Sequence, residues 1–253
     1  MFEVHPPRPE DYQFNTDQWA DAMKINQFSI TIDRHRYKPF AKTKIVRISD
    51  QEITAIMHNM PTLLKNLRKK VDGVLSRDPM FFKLSTRSPK DAWRELLPDV
   101  GINPSDSYEV KKTKIEQQTS LLLVSSFDDV LTLLHSSERA RDDLRAYFEE
   151  NTLCPTFVFQ EWRPSTSVEY RCFVKDRKMI AICGFPIDVH VDPLIKHKIK
   201  RVVEAIAKRT PMPSCVMDVF VDDLTPENVY VIELNPFSDI TDPGPFRWED
   251  LLA

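Results

Sequence analysis

Glycine is scarce in this chain: Gly73, Gly101, Gly184 and Gly244 are the four in 253 residues, against 19 prolines. A Walker-type loop or a G-x-G-x-x-G turn needs backbone to approach phosphate where a side chain would collide, so neither can be built from this sequence. Any nucleotide site must rest on side chains instead. Cysteine is sparse too: Cys154, Cys172, Cys183 and Cys215 lack C-x-x-C spacing, and three of them lie in apolar, strand-like runs. That pattern predicts reduced, buried thiols in a cytoplasmic protein and argues against a disulfide or zinc framework. The chain has no apolar run of 18 residues, and MFEVHPPRPEDY has no secretory-type apolar stretch. The expectation is therefore a soluble cytoplasmic protein with no membrane contact. A net charge of −3 provides no overall basic field, so nucleic acid is not indicated as a partner. The clusters Lys65 to Lys70 and Lys196 to Arg201 read as solvated helix faces.

What is present is a chain long enough to bury roughly 70–75% of its extended surface in a substantial core. FSITIDRHRYKPF suggests a short strand followed by a loop. Ser49 followed by Glu52 forms a capping box, which starts a helix, and a second helical stretch is predicted from Thr62 to Leu75. MFFKLS reads as a short strand with Lys83 embedded in it. SFDDVLTLLHSSERARDDLRAYFEE has a Ser126 cap and leucines at helical spacing, giving one or two helices. Thereafter TFVFQEW, SVEYRCFVK, MIAICGF, CVMDVFVDD and VYVIELN are short β-branched or aromatic runs, interrupted by one helix from Pro193 to Lys208. This mixture predicts an α+β architecture with antiparallel sheet.

The run VYVIELNPFSDITD poses a chemical problem, because an otherwise apolar strand carries Glu233 and Asn235. Regular alternation places Val229, Val231, Glu233 and Asn235 on one face. If Asp222 pairs with Val229 in a hairpin, Asp218 lies opposite Glu233 with Cβ atoms roughly 5 Å apart. Facing carboxylates repel unless they share a proton or a cation bridges them. Asp218, Glu233 and Asn235 then form a hard-oxygen set suited to Mg²⁺, a metal that reserves coordination positions for water and phosphate. Residues on a solvated sheet face would look the same. Lys83 and Arg171 are charges inside apolar runs and need anionic partners. Arg171, which shares a face with Glu169 and Phe173, either neutralises a neighbour across the sheet or meets phosphate; Glu169 is grouped with it as a candidate cofactor contact. Gln160, Glu161 and Trp162, at a strand end, could present polar groups and an aromatic wall to a purine. No Ser-His-Asp arrangement is visible, and His135, His190 and His197 read as ordinary residues.

FFKLSTRSPKDAW, FQEWRPSTSVEYRCFVKDRKMIAICG and MDVFVDD…VYVIELNPFSDITDPGPFRWEDL together resemble the cell division cycle protein 123 family. The resemblance implies an ATP-grasp fold, in which two subdomains with antiparallel sheets enclose an ATP cleft. Here these would be residues 45–155 and 156–253 of a single unit. It implies that Lys83 contacts the α- and β-phosphates, that Gln160, Glu161 and Trp162 lie beside adenine, that Arg171 contacts phosphate and that Asp218, Glu233 and Asn235 hold Mg²⁺. As function it implies an assembly chaperone acting through the γ subunit of the heterotrimeric translation initiation factor. The wider fold also offers an ATP-dependent ligase of the carboxylate–amine type or, at a further remove, an RNA-joining or nucleotidyl-transfer enzyme. The sequence departs from the family at Ser85–Thr86, where the eukaryotic proteins usually carry asparagine and tryptophan. It also has only Gly73 in the segment before the lysine strand, where family members carry a glycine-containing stretch.

Overall fold

The structure, a computed structural model, describes residues 16–24, 27, 30–32, 35–75, 78–149, 154–162, 169–185, 190–221 and 229–253. The chain forms two compact units, Met1–Lys42 with Arg163–Ala253, and Thr43–Trp162. Among the described residues no helix is long and apolar enough to cross a membrane.

The first unit begins with helix α1 (Thr16–Met23) and a small antiparallel hairpin, β1 (Ile30–Ile32) with β2 (His35–Tyr37). The sequence suggested a strand followed by a loop there. The loop part, HRY, is itself a strand because it finds a partner in ITI, a pairing that three-residue runs do not announce.

In the second unit, β3 (Thr43–Arg47) leads into α2 (Asp50–Met57). Ser49 and Glu52 make the expected capping box, each accepting a hydrogen bond from the other's backbone N–H. A 3-10 turn at Pro61–Leu64 precedes α3 (Lys65–Leu75), dividing the single helix expected from Thr62 to Leu75. Next come β4 (Met80–Leu84), α4 (Trp93–Leu96), α5 (Tyr108–Ser120), β5 (Leu123–Val124), α6 (Phe127–Ser136), α7 (Glu138–Glu149) and β6 (Thr156–Glu161). The four strands form one antiparallel sheet in the order β3-β6-β4-β5. Paired residues share a face, so Val46, Met80, Phe82, Leu84, Phe157 and Phe159 point one way. They join Ile53, Ile56, Leu67, Val71 and Leu134 of the helices in one core. Phe82 sits at its centre, with ring centroids 5.3 Å from Phe157 and 5.5 Å from Phe159. Lys83 and Gln160 therefore belong to the opposite face.

The first unit continues with β7 (Glu169–Lys175), β8 (Lys178–Phe185), α8 (Pro193–Ala207), β9 (Cys215–Val221), β10 (Val229–Asn235) and α9 (Trp248–Leu252). Its main sheet is antiparallel, in the order β10-β9-β7-β8, and Phe40 bridges to Val231 at its edge. The β7–β8 turn places Asp176 and Arg177 at φ +50° and +64°. Arg177 tolerates that backbone while its guanidinium donates to the carbonyls of Ala207 and Thr210, closing the C-terminus of α8. α8 buries Ile199, Val202, Val203 and Ile206 and lies against β7, β8 and β10. A second, smaller core gathers Phe173, Cys183, Val216, Trp248 and Leu251.

Candidate functional site: an acid, amide and guanidinium cluster

The strand that raised the question is not regular. Val229 pairs with Val221 and Val231 with Val219, but Glu233 then pairs with Asp218 and Asn235 with Val216. The register shifts by one residue at Ile232, a β-bulge. Asp218 does lie opposite Glu233, as expected, though by another route. The assumed anchor, Asp222, lies outside the described residues, and its supposed partner Val229 pairs with Val221. The expectation that Val229 and Val231 share a face with Glu233 and Asn235 is corrected. Val229, Val231 and Leu234 lie on the apolar face with Val219 and Met217, whereas Glu233 and Asn235 lie on the other with Asp218 and Val216. A period-two reading cannot see a bulge, because one extra residue exchanges the faces downstream of it.

The neighbouring strand completes the cluster. Arg171 of β7 is the register partner of Asp218. It donates Nε–H to Asp218 Oδ1 at 2.9 Å and Nη2–H to Oδ2 at 2.8 Å, and its Nη1–H reaches the Asp242 carbonyl at 2.7 Å. Asn235 donates Nδ2–H to Asp218 Oδ2 at 3.1 Å. Arg171 and Asp218 are 5% and 3% exposed, so this is a buried, bidentate pair. Burial opposes charge on the guanidinium. The hydrogen bonds and charge of Asp218, with the charges of Glu233 and Asp242 added, outweigh it and hold the Arg171 pKa above the ordinary arginine value. Repulsion between Asp218 and Glu233 is thus relieved by a guanidinium. Of the two readings open for Arg171, neutralisation across the sheet is what the geometry displays.

Asp242 was not singled out by sequence. It follows β10 in a loop tied down by Thr241, whose hydroxyl donates to the Pro236 carbonyl at 2.7 Å and whose carbonyl accepts from Trp248 Nε1–H at 2.8 Å. Gly244 takes φ +61° within it, and a Cβ there would lie 3.1 Å from Cys183 Sγ. The available signal was the turn chemistry of TDPG.

The donor set fits a hard divalent cation. Three donors reach Asp218, whose two carboxylate oxygens are hard, anionic acceptors of the type such an ion takes. Asn235, donating through Nδ2, keeps its Oδ1 as an acceptor, and Glu233 adds a second carboxylate on the same face. Among the described residues no three or more His, Cys, Asp or Glu side chains are gathered as an all-protein metal cage. Mg²⁺ does not require one.

In the other unit, Lys83 is 4% exposed and shares a sheet face with Gln160 and Thr43. Gln160 donates Nε2–H to Thr43 Oγ1 at 3.4 Å. Glu161 is exposed and falls on the opposite alternation, while Trp162 stacks on Phe81 with centroids 6.0 Å apart and planes 8° from parallel. The Ser-Pro-Lys-Asp-Ala stretch is accounted for structurally: Asp91 accepts from the Ser137 hydroxyl and from the Arg139 N–H at the start of α7. His135, read as ordinary, lies 3.0 Å through Nε2 from the Ile56 carbonyl.

The chain is thus a two-sheet α+β protein that carries hard oxygens and a paired guanidinium on one sheet and a buried lysine on the other. A family model described as D123 matches residues 112–253. Cell division cycle protein 123 of Phaeosphaeria nodorum is 28% identical over 181 residues, covering 68% of this chain and 43% of that protein. A translation initiation factor eIF2 assembly protein of Schizosaccharomyces pombe is 29% identical over 155 residues, covering 53% and 46%. The solved structure of Cdc123 from S. pombe superposes with a TM-score of 0.66 at 20% identity, over 97% of this chain and 92% of that one. The chain belongs to the D123 family, that of cell division cycle protein 123. It spans less than half the length of the curated relatives it matches.

Proposed function

We propose that this chain binds ATP with Mg²⁺ and serves as an assembly chaperone for the heterotrimeric eukaryotic translation initiation factor, acting on its γ subunit in the cytoplasm. The observation that supports this best is the bulge at Ile232. It sets Glu233 and Asn235 beside Asp218, on the sheet face opposite Val219, Val231 and Leu234. In this reading Asp218, Glu233 and Asn235 would hold the ion, which would supply electrostatic stabilisation of phosphate charge when bound. Asp218, fixed by Arg171, orients Asn235, and Glu233 supplies the other carboxylate. Lys83 contacts the α- and β-phosphates, with Gln160, Glu161 and Trp162 beside the adenine. Arg171 and Glu169 line the phosphate end, Arg171 through the N–H groups not aimed at Asp218. The names of the curated relatives support the chaperone role.

Calorimetric titration of ATP, with and without Mg²⁺, into the Glu233→Gln and Asn235→Ala proteins tests the site. The Mg²⁺-dependent part of the affinity should be lost, and affinity equal to that of the parent chain would remove the metal assignment. The chaperone role predicts retained, uncleaved nucleotide and co-purification of the γ subunit. Steady ADP release on addition of a carboxylate acceptor would replace it with ligation.

A further inference from the structure

A broad, open depression of about 680 Å³ lies where the end of β3 and the start of α2 meet α3. Its lining includes Arg47, Asn66, Lys69 and Lys70, with Ile48 as the apolar wall and Glu52 as the one carboxylate. Glu52 is spoken for: Oε2 accepts from the Ser49 N–H at 2.9 Å and hydroxyl at 3.0 Å, and Oε1 lies 3.5 Å from Lys70 Nζ. Among the described residues no carboxylate lies within ion-pair distance of the Arg47 guanidinium or the Lys69 ammonium. Their neighbour Arg68 behaves differently, donating twice to Asp128 at 2.8 and 2.6 Å and lying 4.9 Å over the Phe127 ring. The cations of α3 thus divide between one locked into the fold and others lining a concave space.

We propose that this depression is an anion site for a small molecule carrying two or more phosphate groups. Clustered cations in a cleft concentrate potential, and guanidinium and ammonium donors give phosphate short, charge-assisted hydrogen bonds. Among the described residues no aromatic side chain lines the depression, so the ligand is recognised by charge. Arg47 shares the sheet face of Lys83 and Gln160 but lies at the other end of β3 from Gln160. Arg47 lies four residues beyond Thr43, the register partner of Gln160, or roughly 13 Å along the strand.

The probe is inorganic pyrophosphate, titrated by calorimetry into the full chain without Mg²⁺ or nucleotide. Binding at one site is expected, weakened at least tenfold in the Arg47→Gln/Lys69→Gln protein. Both side chains are exposed, so the melting temperature of that variant should match the parent's. Lys83→Met should leave pyrophosphate binding intact, which separates failure of this site from failure of the ATP reading. The proposal is overturned if the parent chain shows no binding, if the double variant binds equally well, if Lys83→Met abolishes binding, or if citrate binds as tightly as pyrophosphate.

Discussion

Arg171 and Asp218 face one another on adjacent strands, joined by two hydrogen bonds of 2.9 and 2.8 Å, both nearly out of contact with solvent. Removing one partner strands the other's charge where water cannot reach it. Asp218→Ala should therefore destabilise the protein by about 3–5 kcal/mol, the usual cost of breaking a buried pair from one side. Urea unfolding measures this; a loss below about 1 kcal/mol would mean that water reaches the guanidinium. For that reason Glu233 and Asn235 are the cleaner positions at which to test metal binding.

Glycine 73 and glycine 244 should respond oppositely to alanine. A Cβ at Gly73, exposed within α3, would meet nothing within 4 Å, so Gly73→Ala should raise stability by up to about 1 kcal/mol through helix propensity. At Gly244 the backbone has φ +61° and the added methyl would press on Cys183, so Gly244→Ala should lower stability. Thermal unfolding of the two variants checks both signs.

All four cysteines are free thiols, and three are buried. Burial pushes Cys215 up to about 12 and Cys172 well above the ordinary thiol value, so neither forms thiolate at mildly alkaline pH. An aromatic disulfide reagent should label Cys154 alone in the native protein and all four after unfolding. Rapid native labelling of Cys172 or Cys215 would contradict their burial.

Tyr147 donates its hydroxyl to Asp50 Oδ1 at 2.8 Å. That bond, with burial and nearby negative charge added, raises its pKa from 10.0 to about 12. The folded value lies above the unfolded one, so the stabilisation is fully present below pH 10 and disappears between 10 and about 12. Near-ultraviolet difference titration against Tyr147→Phe should show a late-titrating phenol that moves down in Asp50→Asn.

Asp91 has the opposite sign. Burial alone would raise its pKa, but hydrogen bonds from the Ser137 hydroxyl and the Arg139 N–H outweigh burial and hold it below the ordinary 3.8. Its contribution is present above that value and is lost as pH falls through the depressed folded pKa. Asp91→Ala should cost about 1 kcal/mol near neutral pH, as other lost helix-start braces do, and less in strong acid. Chemical denaturation at the two pH values decides it.

Local rules placed much of this molecule. Ser49 with Glu52, and Ser126 ahead of α6, mark helix starts because a capping side chain and its backbone partner lie three residues apart. The β-branched runs from Thr156 onward became strands because their pattern suits a pleated surface. The amphipathic pattern did not reveal β3, α5 or the two-residue β5, whose existence depends on what they lie against.

The chain by itself excluded a glycine-built phosphate loop, which four scattered glycines cannot form, and showed that Glu233 and Asn235 break an apolar strand. Tertiary structure decided which way those two point and what balances Asp218. The face is set by one unpaired residue at Ile232, and the counter-charge is Arg171, 47 positions earlier in the chain. Both depend on strand pairing between distant segments, where hydrogen-bond register rather than local preference selects the arrangement.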